Sequence, residues 1–208
     1  MDDLLTSLVE RKNVILDFLA HVGAVQKYSW LQTQLHSINV SSHDAGEFQR
    51  RFKGFYRVRR NQAFCGPFFG LLEREKANVG IDFASVLLEV STDRVEASFS
   101  SKLVASIRPD MPVWDREVMR NLGIRTTGPA GDRNDKIRAT LQRYEDLGTR
   151  MTQFLHDAQF LELRRAFDQR FPGTVVSDMK VMDFFLWQYR PGSRVHGHGA
   201  RVRGCGVS

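Results

Sequence analysis

The sequence predicts an all-α protein, a compact multi-helix domain. Apolar residues recur at steps of three and four along almost the whole chain. Helix-start residues stand before the apolar runs, at Asp44, Asn61, Asp82, Asp115 and Ser177 or Asp178, and Gly23 and Gly123 stand after them as stops. No convincing run of alternating strands and no internal repeat breaks the pattern.

Taken in order, Leu4, Leu5, Leu8, Val9, Ile15, Phe18, Leu19 and Val22 share one helix face, with Asp2 or Asp3 as N-cap and Gly23 as stop. A short helix or turn follows around Tyr28–Ile38. Asp44 stands three residues before Glu47, a capping-box-like start for a helix whose face holds Phe48, Phe52, Phe55 and Tyr56. Asn61 caps a segment carrying Phe64, Phe68, Phe69, Leu71 and Leu72, with a kink or break expected at Gly66-Pro67. Asp82 opens "FASVLLEV", which its flanks assign to helix. Ser98 through Ile107 forms a helix that ends before Pro109, and Asp115 through Leu122 forms another that Gly123 stops. Ile137, Leu141, Tyr144, Leu147, Met151, Phe154 or Leu155, Ala158 and Leu161 trace one long helix, or a helical hairpin bent near Gly148. After Phe171-Pro172-Gly173 comes a last helix, "DMKVMDFFLWQYR".

Residues 1–190 read as a single helical domain. The polar stretch 124–135, "IRTTGPAGDRND", is the candidate boundary between two helical lobes. Residues 191–208 read as a disordered basic tail with too little apolar content to join a core.

Hydrophobic residues make up 42% and charged residues 26% of the 208, the balance of a soluble globular protein. No apolar run approaches the roughly 18 residues that span a bilayer. The N-terminus begins acidic and turns amphipathic, unlike a secretory signal, so the expectation is a cytoplasmic, unprocessed protein with no membrane partner. The formal net charge is +6. Arg190, Arg194, Arg201 and Arg203 supply four of those charges, which leaves +2 on residues 1–189. Cys65 in "AFCGPFF" reads as a small buried residue. His196, His198 and Cys205 make only a weak metal pattern, so no metal and no cofactor is implied. GxGxxG, Walker A, HExxH and GxSxG elements are absent, which argues against the common nucleotide-binding, metalloprotease and serine-hydrolase classes.

Two clusters carry chemistry. "RRFKGFYRVRR" places Arg50, Arg51, Lys53, Arg57, Arg59 and Arg60 in eleven residues with no acid among them, interleaved with Phe52, Phe55 and Tyr56. Cations among aromatics suit a nucleic-acid backbone and its stacked bases. An amphipathic helix with core aromatics and solvated arginines would look the same. The second cluster is "SSKLVASIRPDMPVWDREVMRNLG", which sets Lys102 in one helix and Asp115 at the mouth of the next. An aspartate there caps a helix and suits its dipole. A carboxylate can also stabilise an oxocarbenium-like sugar, and an amine of lowered pKa can attack a sugar carbon. In the last helix Lys180 and Asp183 lie along one side and read as a surface ion pair beside the core residues Phe184 and Trp187.

The second cluster resembles the catalytic region of helix-hairpin-helix DNA glycosylases, the endonuclease III-like superfamily. In that family a lysine opens the second helix of the hairpin, and a "P-x-x-D" element then sets an aspartate at a helix start. The resemblance implies that Lys102 and Asp115 are catalytic residues. It also implies that Ser98, Ser100 and Ser101 stand where the glycine-rich hairpin would meet a DNA phosphate; here that position reads "EASFSS", without glycine, and the lysine-to-aspartate span is shorter than usual. A broader likeness, over most of residues 44–190, is to a family of uncharacterised bacterial proteins with an "E-x-S-F-x-S-K-L…P-D-x-P-x-x-D" core and a later "K-x-x-D-x-x-L-W" helix. The expected partner is double-stranded DNA, and the expected activity is base removal from a flipped nucleotide. Two alternatives stay open: a non-catalytic nucleic-acid-binding module, and a helical interaction protein in bacterial stress or defence.

Overall fold

A computed structural model describes residues 2–92, 94–126 and 131–191. The expected tail, with His196, His198 and Cys205, lies outside the described residues, as do residues 127–130 of the candidate lobe boundary. Among the described residues there are eleven α-helices and no strand.

The helices are α1 (Asp2–Glu10), α2 (Lys12–His21), α3 (Ala24–Ser37), α4 (Gly46–Phe55), α5 (Gln62–Glu75), α6 (Phe83–Val90), α7 (Ala97–Ile107), α8 (Arg116–Asn121), α9 (Arg133–Leu155), α10 (Ala158–Arg170) and α11 (Asp178–Gln188), with one 3-10 turn at His43–Ala45. Four starts are set by the side chains the sequence marks. Asn61 accepts from Phe64 N–H, Asp82 from Ser85 N–H, Asp115 from Glu117 N–H and Ser177 from Lys180 N–H. Asp44 instead lies in the 3-10 turn, and α4 begins at Gly46 without a side-chain cap.

Several elements differ from expectation. The first helix is two, broken at Arg11, which lets α1 lie on α10 while α2 lies on α10, α11 and α3. Helix α3 is a full 14 residues, because Ala24, Val25, Tyr28, Leu31 and Leu35 form a buried stripe that intervening Gln, Ser and His dilute in the sequence. Gly23, at φ +62, both ends α2 and begins α3. Helix α5 runs through Pro67 unbroken: Pro67 and Ala63, whose carbonyl loses its donor there, both lie on the exposed face, where water can replace the bond. Gly148 sits inside a continuous α9, facing Pro112, and the break comes at His156 and Asp157, where Asp157 caps α10 through Gln159 N–H.

Two cores form. The larger gathers α1, α2, the start of α3, Phe83 and Leu87 of α6, and α8 to α11, around Leu19, Met119, Leu147, Leu163, Val181 and Phe185. The smaller is rich in aromatics and gathers α3 to α7, around Phe48, Phe52, Phe68, Phe69, Leu72 and Leu103. Helices from both sides of residues 124–135 share the larger core. Phe55 and Met111 pack against both cores. The seam between the cores is where charged side chains collect.

Candidate functional site

A cavity of about 600 Å³ opens at that seam. This lies within the roughly 300–1,000 Å³ of small-molecule sites. Lys102 of α7 and Asp115 at the start of α8 both line it. So do Arg50 and Arg51 of α4, Arg57 just beyond α4, and Lys180 and Asp183 of α11. Phe55, Tyr56, Phe184 and Trp187 give it aromatic walls, and Phe18 stands 39% exposed among the remaining lining residues.

Three hydrogen bonds fix the turn between Lys102 and Asp115. Ser101 Oγ accepts the Trp114 N–H at 2.9 Å. Tyr144 OH, from α9, donates to the Pro112 carbonyl at 3.0 Å. Ser177 Oγ donates to the Pro109 carbonyl while it caps α11. One turn is thereby tied to α7, α9 and α11, and Asp115 is held at 2.7 Å from the Glu117 N–H through Oδ1.

Lys102 is buried, 7% exposed. Burial pushes its amine down to about 8, against the pull of Asp115; Lys180 adds to the lowering and Asp183 opposes it. Its Nζ lies 5.3 Å from the centre of the Phe99 ring. Among the described residues no carboxylate pairs with it directly.

Lys180 and Asp183 are not the surface pair their spacing suggests. They are 7% and 5% exposed, with Nζ 2.6 Å from Oδ2. Burial alone would lower Lys180, and Asp183 beside it reverses that and raises it. Burial also raises the Asp183 carboxyl, against the attraction of Lys180. Four rings surround the ammonium: Phe184 at 4.9 Å, Tyr28 at 5.1 Å, Phe55 at 5.3 Å and Tyr56 at 5.7 Å to centroid. Among the described residues Asp183 Oδ1 has no hydrogen-bond partner. The sequence signal for this pair was available in "MKVMDFFL". All eight residues from Met179 to Leu186 are buried, and charges inside such a helix need partners.

The basic run divides. Arg50, Arg51 and Arg57 reach the cavity; Lys53, Arg59 and Arg60 do not line it. Arg51 also pairs with Glu47 at 2.7 Å and lies over Trp30. Arg60 pairs with Glu96 at 3.3 Å and lies over Phe64. Arg57 adopts φ +53 in the left-handed position after α4, and Val58 N–H closes back on the Lys53 carbonyl at 2.9 Å. Glycine usually fills that position; here it carries a guanidinium 5.5 Å from the Trp187 ring centre.

The serines divide too. Ser100 and Ser101 are fully buried and cannot meet a phosphate at the surface. Ser100 Oγ donates to the Glu96 carbonyl, and Ser101 serves the turn. Ser98 is half-buried and lines a second cavity of about 500 Å³ with Arg94, Arg133, Lys136 and Arg143. The glycine-free hairpin between α6 and α7 is closed by Ser91: its Oγ accepts the Glu96 N–H at 2.9 Å, and its carbonyl accepts from Arg133 at 2.6 Å.

Among the described residues no group of three or more His, Cys, Asp or Glu could hold a metal ion, and no helix is long and apolar enough to cross a membrane. No protein-family model, curated protein or solved structure matches the chain.

Proposed function

We propose that the cavity is the active site of a DNA glycosylase-like enzyme that receives a flipped nucleotide. In this reading α6 and α7 are the helix-hairpin-helix, with Ser91 in place of the glycine-rich turn. One observation carries the proposal: a buried amine of lowered pKa, Lys102, shares a cavity with Asp115 and with Arg50, Arg51 and Arg57.

The arginines hold the phosphates beside a nucleotide turned out of the stack, since the glycosidic carbon is out of reach inside a duplex. The Asp115 carboxylate faces the positive charge that develops on the sugar. The C1′–N bond breaks and its electron pair leaves with the base. Neutral Lys102 Nζ supplies a pair to C1′ and gives up a proton, which balances the proton that the base gains. Opening of the sugar ring gives a Schiff base, and water hydrolyses it to the free amine and an abasic sugar.

The test is strand scission after alkali, on duplexes each carrying one damaged base, an abasic site or neither. Product with the wild type, lost in folded Asp115→Asn and Lys102→Gln proteins, is the expected result. Salt-sensitive DNA binding with no product on any duplex would reduce the site to a non-catalytic nucleic-acid module. No binding at physiological salt would remove DNA as the partner.

A further inference from the structure

Asp183 Oδ1 is a buried carboxylate oxygen with no donor among the described residues, on a residue that lines the cavity. Such an atom is costly to leave bare, and each one in a folded protein calls for an explanation. Its sister oxygen accepts from Lys180 at 2.6 Å. The carboxylate therefore keeps capacity for further accepted hydrogen bonds. The positive charge of Lys180 stands beside it, and Phe55, Tyr56 and Phe184 wall the same space.

We infer that this corner of the cavity is a recognition subsite for the base itself, a planar heterocycle with a ring N–H beside a carbonyl. The Asp183 carboxylate accepts the N–H. The Lys180 charge favours the neighbouring carbonyl oxygen. The aromatic walls take the ring faces, and the arginines are left for phosphate. A lactam edge of this kind occurs in hypoxanthine, guanine and uracil and in their oxidised forms. A base whose ring nitrogen is alkylated at that edge offers no donor, and the carboxylate would then gain no partner from it. Asp183 is a specificity-determining residue in this arrangement; it does not touch the bond that breaks. The inference rests on the cavity receiving a flipped nucleotide, but it does not require cleavage.

Its test uses nucleosides and the full chain. Dissociation constants for inosine and 1-methylinosine, and for uridine and 3-methyluridine, are measured by ligand-observed NMR titration. Within at least one pair the wild type is expected to prefer the N–H form by about tenfold or more, the scale of a buried acceptor left unpaired. The double variant Lys180→Met/Asp183→Leu, checked for cooperative melting, is expected to bind both members of that pair alike. This variant separates the lost donor from the added methyl bulk, which would still discriminate. Equal affinities in the wild type overturn the subsite without any variant. A preference that survives the double substitution overturns it, and so does the absence of binding by every nucleoside. The alkali assay reads the other proposal separately. N–H discrimination without base excision would keep the subsite and remove the enzyme. Excision without discrimination would do the reverse.

Discussion

Ser101 Oγ accepts the Trp114 backbone N–H at 2.9 Å, and so fastens the turn that ends in Asp115 to the helix that carries Lys102. The bond is buried, and that N–H has no other acceptor among the described residues. Ser101→Ala leaves the donor unpaired. The expected loss is about 1–3 kcal/mol of stability in chemical denaturation. In the proposed enzyme kcat falls with it while DNA affinity holds, because Asp115 loses its setting and the rim arginines keep theirs.

Lys102 works against the fold. Its amine is held near 8, below its ordinary 10.5, so protonation is harder in the folded chain than in the unfolded one. Below pH 8 both states carry the proton and the folded state bears the full penalty. Between pH 8 and 10.5 the unfolded chain binds more protons, and stability rises as the penalty is relieved. Lys102→Met is therefore expected to be more stable than wild type at pH 7, by roughly 3 kcal/mol at most. The gap should close as melting is followed from pH 8 to 10.5. The same amine predicts a rate profile: kcat/KM climbs about tenfold per pH unit up to pH 8 and then levels.

Arg57 offers a cleaner separation of folding from binding. Its φ of +53 costs a side-chain-bearing residue about 1–2 kcal/mol that glycine avoids. Glycine gives part of that back through the freedom it has in the unfolded chain. Arg57→Gly should melt at or slightly above the wild-type temperature. Its affinity for an oligonucleotide should fall, and the slope of log K against log salt should shrink by about 1.

The Lys180–Asp183 pair predicts strong non-additivity. Lys180→Met leaves a carboxylate buried without its ammonium and should cost about 3–5 kcal/mol. Lys180→Met/Asp183→Leu replaces both charges with apolar side chains of similar size. It should recover wild-type stability or exceed it. A denaturation cycle over the two singles and the double measures the coupling directly.

Much of the fold was legible because its signals are local. Asn61, Asp82, Asp115 and Ser177 each sit beside the amides they cap, and Gly23 and Gly123 each hold the positive φ that ends a helix. The break at Arg11 and the unbroken passage through Pro67 depend on which face meets another helix, and a single helix's pattern does not encode that. Spacing on one helix likewise predicted that Lys180 and Asp183 share a side, but not which side faces inward. The serines of "SFSS" show the same limit in reverse: three hydroxyls in four residues read alike, yet Ser100 and Ser101 point into the protein and Ser98 lines a cavity. Lys102 and Asp115 were singled out through a likeness of pattern. Their shared cavity also takes in α4 and α11, from parts of the chain dozens of residues away on either side.

The position of that cavity has a mechanical consequence. Lys102 and Phe55 belong to helices of the smaller core and Asp183 and Phe184 to a helix of the larger one, while α3 and α6 place buried side chains in both. A molecule lodged there would act as an added rivet between the two cores. Its binding energy would become cohesion, so amides of α5 and α10, which touch no ligand, would exchange their hydrogens more slowly together.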